Sequence, residues 1–112
     1  MIYLASPYSD PDPAVRCARF EAVCDYAAVM IRAGHHVYSP IAHSHPIAER
    51  GLPGGWPFWA EHNRIMLGRC QSVVVLALPG WEQSWGVQAE VAIANELGLT
   101  VTIVNPVGDP GG

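Results

Sequence analysis

Short apolar runs divide the chain into blocks that predict four strands separated by helices. The runs are IYLA at residues 2–5, HVY before Pro40, SVVVLAL from Ser72 and TVTIV from Thr100. Parallel strands are buried on both faces and need helical crossovers, so this pattern predicts a parallel α/β sheet. We expect one domain over residues 1–105, a three-layer, Rossmann/flavodoxin-like sandwich with four or five strands, and a flexible tail at residues 106–112.

Three helices are predicted between these strands. The first begins at Asp12, a suitable N-cap followed by proline, and Gly34 is placed to end it. The second covers FWAEHNRIMLGRC, residues 58–70, and the third follows the turn GWEQSWG and ends at Gly98. The apolar side of the first helix is expected to contain Ala14, Cys17, Ala18, Val23, Cys24, Ala28 and Ile31.

The segment between the second strand and the second helix, residues 40–57, is rich in proline and glycine. It is predicted to be a long loop, and loops of this length in small domains are often functional. Ligands of parallel sheets bind outside the carboxyl ends of the strands, near the point where the strand order reverses. The loop ASPYS after the first strand, the loop from residue 40 and the turn GWEQSWG are therefore expected to converge on one site.

Charge and cysteine content limit the classes of partner. The net charge is −4, with six arginines and no lysine, which argues against a footprint on a nucleic-acid polymer or an anionic membrane. Cys17 and Cys24 would lie about 10 Å apart along a helix, too far for a disulfide. With three cysteines, no signal-peptide pattern and no long apolar run, we expect a cytoplasmic protein with reduced thiols.

Glu90 lies within an apolar stripe of the last predicted helix. The other members of that stripe are Val87, Val91, Ala94 and Leu97. A buried carboxylate costs several kcal/mol unless it is paired, protonated or used. Its place near the helix start predicts an anion stabilised by the helix dipole, suited to attack on a sugar carbon. The alternative is a glutamate bonded to nearby backbone or hydroxyl groups.

Several motifs occur in an order and spacing found in a known family. They are IYLASPY, SVVVLAL and S-x-G-x-x-x-E at residues 84–90, followed by A-x-x-x-G at residues 94–98. On these motifs the chain resembles the nucleoside 2-deoxyribosyltransferase superfamily over residues 2–104. It looks closest to the nucleoside 5′-monophosphate N-glycosidase-like members, and PIAHSHPIA and GW-x-x-S-x-G-V resemble short phage and bacterial proteins of that group.

The resemblance implies a catalytic pair. Glu90 would be the nucleophile at C1′ of a (deoxy)ribose, and the Tyr3 hydroxyl would orient it. The alternative for Tyr3 is a core aromatic residue with a satisfied hydroxyl group. Family members need no metal or organic cofactor, and they form dimers or larger homo-oligomers whose neighbours complete the pocket.

The resemblance also implies a phosphate site around Ser84. Nucleoside transferases usually carry an acid there, whereas the monophosphate N-glycosidases carry a serine that binds phosphate. Free N–H groups of the helix start at Gly86 suit the same role, and Ser6 with Arg16 or Arg19 would complete the site. The alternatives are that Ser84 is only the helix N-cap and that each arginine is solvated.

One departure from the family concerns proton transfer. Asn63 and Gln71 stand where family members commonly have aspartates, and asparagine can bind a base but cannot shuttle a proton. Another group (His43, His45 or Glu61) acts instead, or activity is slow, or the chain is a non-catalytic variant.

Histidines and tryptophans complete the candidate list. The pairs HSH at 43–45 and HH at 35–36 lack a metal-site signature, so we expect no metal and assign His43 and His45 to the pocket or to a polar loop. One or two tryptophans are expected to stack on a nucleobase, with Trp59 as the candidate, although packing of loops or an interface is the alternative. The four tryptophans near the predicted mouth are Trp56, Trp59, Trp81 and Trp85.

The sequence and the resemblance together predict an enzyme. It would hydrolyse the N-glycosidic bond of a (deoxy)ribonucleoside 5′-monophosphate and release a free base and (deoxy)ribose 5-phosphate. The nearest alternative is base exchange between nucleosides. A non-catalytic nucleotide-binding module and a metal phosphoesterase are alternatives of other classes.

Overall fold

The computed structural model describes residues 1–106. The flexible tail predicted at 106–112 therefore lies outside the described residues, apart from Pro106. No helix among the described residues is long and apolar enough to cross a membrane. In chain order, the strands and α-helices are β1 (Ile2–Ala5), α1 (Pro13–Arg32), β2 (Val37–Tyr38), α2 (Pro40–Ala48), α3 (Trp56–Leu67), β3 (Ser72–Leu76), α4 (Trp85–Glu96) and β4 (Thr100–Val104).

The four strands form one parallel sheet in the order β2-β1-β3-β4, which confirms the predicted α/β fold. Tyr3 in β1 pairs with Tyr38 of β2 on one side and with Val73 of β3 on the other. The chain builds outward from β1 in both directions, so the strand order reverses between β1 and β3. A crevice is expected outside the carboxyl ends of these two strands.

Helices cover both faces of the sheet because successive strand residues point to opposite sides. The first face carries Leu4 and Leu76 and packs against Val23 and Met30 of α1. The second face packs against α3 and α4. Its buried residues from the sheet and these helices are Tyr3, Ala5, Leu67, Cys70, Val73, Val75, Val87, Ile93 and Ala94.

Helix α1 begins and ends as its sequence predicts. The Asp12 side chain accepts a hydrogen bond from the Ala14 N–H (2.9 Å), and Gly34 follows the helix with a φ of +99°. The predicted apolar side is confirmed at Val23, which is buried, but it is wrong at Cys17 and Ile31, which are exposed. The buried side is turned towards Met30, which packs with Val23 against the sheet.

The long loop predicted at 40–57 is wrong over its first half, which forms α2. Ser39 caps this helix by accepting a hydrogen bond from the Ala42 N–H (3.0 Å). Pro40 occupies the first helical position, where a missing N–H costs nothing. Pro46 removes one hydrogen bond inside the helix without ending it. The connecting loop is therefore confined to residues 49–55.

Candidate active site

A cavity of about 360 Å³ opens at the carboxyl ends of β1 and β3. The three segments expected to converge do so, since residues 6–9, 40–48 and 83–90 all contribute to its wall, together with residues 54–63. Seven of the predicted site residues line it, namely Ser6, His45, Trp59, Asn63, Ser84, Gly86 and Glu90. Tyr3 lies behind the wall and reaches the site through Glu90.

The start of α4 forms one side of the cavity. Ser84 is the N-cap, and its Oγ accepts a hydrogen bond from the Val87 N–H (3.2 Å). Ser84 and Gly86 both line the cavity, so the first turn of the helix presents its backbone there. The N–H groups of a first helical turn have no partner within the helix, and together with the positive end of the helix dipole they favour an anionic ligand.

Glu90 is the sixth residue of α4 and only 4 % of its surface is exposed. The Tyr3 hydroxyl donates a hydrogen bond to Glu90 Oε2, and Tyr3 itself is fully buried in β1. This tyrosine is the only hydrogen-bond partner of the carboxyl group among residues 1–106. The carboxyl group is thus held from the sheet side and borders the cavity on the other.

Burial controls the protonation of this pair. Loss of solvent raises the pKa of Glu90 to about 8, although the hydrogen bond from Tyr3 acts in the opposite direction. Burial and the adjacent carboxyl group also raise the pKa of Tyr3. The raised pKa of Glu90 is opposite in direction to the predicted stabilisation of the anion by the helix dipole. Glu90 lies beyond the first turn, where the dipole effect fades, and desolvation dominates.

Two buried polar atoms in the cavity wall have no hydrogen-bond partner among the described residues. They are Ser6 Oγ and Asn63 Oδ1, in residues that are only 4 % and 7 % exposed. An unsatisfied buried polar group costs about 1–3 kcal/mol. Their position predicts that a ligand supplies the missing hydrogen bonds.

Aromatic residues of α3 lie beside Asn63. Trp56, Trp59 and Asn63 are spaced to share one helix face, and all three line the cavity. The Trp59 indole N–H donates to the Pro53 carbonyl oxygen (2.7 Å), which fixes the orientation of its ring. Trp85 also lines the cavity and is 74 % exposed at its mouth. Trp81, by contrast, packs against the core.

The two histidines predicted for the pocket have different surroundings. His45 is buried in the wall, where its Nδ1 shares a hydrogen bond with the Tyr8 hydroxyl. His43 is exposed and its ring stacks on His62, with 5.4 Å between ring centroids, so it does not line the cavity. No group of three or more His, Cys, Asp or Glu side chains within residues 1–106 is arranged to hold a metal ion.

The arginines predicted near the phosphate make other contacts. The Arg19 guanidinium donates to the carbonyl oxygens of Ser9 (3.0 Å) and Pro79 (3.1 Å), and it does not line the cavity. Arg16 donates to the Asp10 carbonyl oxygen and borders a more open depression next to the cavity. Arg19 therefore joins two loops behind the site.

Sequence reasoning missed several wall residues. Tyr8 and Ser9 belong to the loop ASPYS, whose convergence on the site was expected but in which only Ser6 was singled out. Ser44 was hidden by the loop assignment, although residues 40, 44 and 48 have the spacing of one helix face. Gln83, which precedes the Ser84 cap, also contributes.

The fold and the cavity define the class: a small parallel α/β domain with a buried carboxyl group at its topological switch point. Within that class, the chain belongs to the family described as domain of unknown function (DUF1937), which it matches over residues 1–105. No curated protein sequence matches the chain.

Proposed function

We propose that the protein hydrolyses the N-glycosidic bond of a (deoxy)ribonucleoside 5′-monophosphate. The observation that carries the proposal is the Tyr3–Glu90 pair, in which a buried carboxyl group is oriented by a hydroxyl and borders the cavity. The Glu90 carboxylate attacks C1′ while the bond to the base breaks, and water then releases the sugar phosphate. Every step takes place without a metal or an organic cofactor.

The polar wall residues suggest how the nucleotide is oriented. The start of α4, with Ser84 and Gly86, and the unsatisfied Ser6 hydroxyl favour the phosphate end. Trp59 and the unsatisfied Asn63 amide favour the base, through stacking and hydrogen bonds. Glu90 borders the same cavity, and the proposal places C1′ of the nucleotide against its carboxyl group.

The pKa of Glu90 predicts a pH dependence. The nucleophile is the carboxylate, and burial raises its pKa to about 8. The carboxylate fraction of Glu90 in the free enzyme therefore increases as the pH rises towards 8, which gives kcat/KM an ascending limb on the acid side. A rate that is constant between pH 6 and 9 would contradict a Glu90 nucleophile.

The first experiment is chromatography for released base. The protein is incubated with ribo- and deoxyribonucleoside monophosphates, including 5-modified pyrimidines, and with the matching nucleosides. We expect release from monophosphates only, and Glu90→Gln should reduce it by roughly 10³-fold or more. Glu96→Gln, an exposed change on the same helix, is the matched control and should retain the wild-type rate.

A nucleotide-binding module without turnover is the second candidate. It is favoured by Asn63, whose amide cannot transfer a proton, and by the burial that raises the pKa of Glu90 and so favours its uncharged form. It predicts nucleotide binding in calorimetry with no base released at high protein concentration. Base exchange would instead show release that an added acceptor base accelerates. The homo-oligomer implied by the resemblance and the cytoplasmic location expected from the cysteine content stay predictions.

A further inference from the structure

Three ionisable side chains contact one another in sequence, from the surface to the cavity wall. Tyr8, in the loop after β1, shares a hydrogen bond with His45 Nδ1 on α2. His45 Nε2 lies 3.5 Å from Glu49 Oε2, one helical turn further along, and the Glu49 side chain is 68 % exposed. Tyr8 and His45 line the cavity, whereas Glu49 borders only the adjoining depression.

Aromatic packing fixes the orientation of the imidazole. Phe20 of α1 stacks on His45 with 4.2 Å between ring centroids and 25° between ring planes. Tyr8 meets the same ring edge-on, at 80° and 5.5 Å. Each imidazole nitrogen therefore points at one partner, which is the arrangement that sets a histidine tautomer.

The proposed reaction needs a proton donor for the departing base, and few side chains in the cavity wall are ionisable. Among the cavity-lining residues within 1–106, the ionisable ones are Tyr8, His45 and Glu90. Glu90 serves as the nucleophile in the proposed function, and the Asn63 amide cannot transfer a proton. A departing base becomes a much better leaving group when it is protonated.

We propose that Tyr8, backed by His45 and Glu49, donates a proton to the leaving base. This inference rests on the proposed N-glycosidase activity. In the first step the C1′–O bond to Glu90 forms and the C1′–N bond breaks, with its electron pair going to the base. The base takes the Tyr8 hydroxyl proton, and Tyr8 takes the Nδ1 proton of the imidazolium. His45 ends neutral, with its Nε2–H directed at Glu49.

The second step reverses the proton path. Water attacks C1′, the ester bond to Glu90 breaks, and the carboxylate leaves. A proton from the water passes to Tyr8 as the Tyr8 proton returns to His45 Nδ1. The net reaction consumes one water, releases base and sugar phosphate, and restores every side chain.

The surroundings of Tyr8 suit a neutral donor. Burial raises the pKa of its hydroxyl, Glu49 and Cys17 act in the same direction, and Arg16 of α1 acts in the opposite one. Tyr8 therefore holds its proton until an acceptor enters the cavity. Phe20, the remaining neighbour of the imidazole, carries no charge.

The test compares two leaving groups. A nucleoside monophosphate needs a proton on its base, whereas 4-nitrophenyl (deoxy)ribose 5-phosphate releases a phenolate that needs none. Tyr8→Phe should slow base release by roughly 10²–10⁴-fold and change cleavage of the nitrophenyl compound by less than about tenfold. Glu90→Gln should slow both reactions, and Tyr26→Phe, which removes a hydroxyl from α1 outside the cavity wall, should slow neither.

Equal losses on the two substrates would overturn the proposal, because a merely structural role for Tyr8 slows both. If Tyr8→Phe does not fold, Glu49→Gln is compared on the same two substrates, because a change in its exposed side chain should not prevent folding. Glu49→Gln should slow base release by less than Tyr8→Phe does, again with little effect on cleavage of the nitrophenyl compound. Glu21→Gln, an exposed change on α1, is its matched control.

A wild-type protein that cleaves neither compound would overturn the proposed function. In that case nitrogen NMR of His45 tests the proton path separately. The path predicts that neutral His45 carries its proton on Nε2 and that Tyr8→Phe shifts the Nδ1 resonance. A proton on Nδ1, or no shift in the variant, would overturn the path itself.

Discussion

The two faces of the sheet differ in what they bury. The face under α1 is apolar, with Leu4, Val23, Met30, Leu76 and Leu78 at its centre. The face under α3 and α4 buries a comparable apolar set but also contains the hydroxyl–carboxyl pair of β1 and α4. Neighbouring residues of β1 supply both, because Leu4 points to one face and Tyr3 to the other.

The polar pair at the candidate site thus lies on one face of the sheet, and the other face has an apolar core. The crossover after β3 places α4, with its N-terminus at the carboxyl edge of the sheet, on the second face. The carboxyl group that borders the cavity is therefore buried on that face. The core of the α1 face consists of apolar side chains and can be packed for stability.

The largest expected effect comes from the apolar face. Leu76→Ala leaves a cavity under α1 and should lower the free energy of unfolding by about 2–5 kcal/mol. Urea denaturation followed by circular dichroism measures this loss. Base release per folded molecule should not change, and a variant that keeps its stability but loses activity would contradict the division between the faces.

The carboxyl pair should make the second face sensitive to pH. Folding raises the pKa of Glu90 from an ordinary 4.5 to about 8, so between these values the native protein keeps a proton that the unfolded chain releases. The contribution of Glu90 to stability is complete below pH 4.5 and is lost as the pH rises towards 8. The slope is at most about 1.4 kcal/mol per pH unit.

Glu90→Gln isolates this contribution, since other titrating groups are common to both proteins. The difference in free energy of unfolding between variant and wild type should move in favour of the variant from pH 5 to pH 8. Tyr3→Phe removes the hydrogen bond that lowers the pKa of Glu90. The loss of stability of this variant with rising pH should therefore extend to higher pH than in the wild type. Parallel curves for wild type and Glu90→Gln would refute the assignment.

The smallest effect distinguishes a structural cap from a ligand contact. Ser84→Ala and Ser39→Ala each remove an N-cap hydrogen bond, and each should cost about 1 kcal/mol of stability. Only Ser84 lines the cavity, so only its loss should weaken nucleoside monophosphate binding in calorimetry. Equal binding by both variants would leave Ser84 as a cap alone.

The sequence was sufficient for the sheet, because wholly apolar runs such as residues 72–76 have few alternatives to a buried parallel strand. It also located Ser84 as a cap and Glu90 on a buried stripe, since both follow from local spacing. It fails at α2, where Pro40 and Pro46 indicate a loop: Pro40 occupies the first helical position, where proline is favourable, and Pro46 is tolerated inside the helix.

Long-range contacts account for the rest. Tyr3 and Glu90 are 87 positions apart, and the desolvation that raises the Glu90 pKa depends on how the sheet and helices close around it. Tyr8 and His45 are 37 positions apart, so no spacing rule connects them. The resemblance supplied the first pair, whereas only the folded chain reveals the second.

Arg19 has a consequence for how such a site can diversify. Its guanidinium joins the loop after β1 to the loop after β3 through hydrogen bonds to a carbonyl oxygen in each. A substitution that moves either loop would break a hydrogen bond of this guanidinium, so both loops are constrained by it. The segment 49–55 contributes Gly54 and Gly55 to the wall, and no backbone hydrogen bond joins it to the sheet within residues 1–106. We expect differences in ligand size among members of the family to accumulate there.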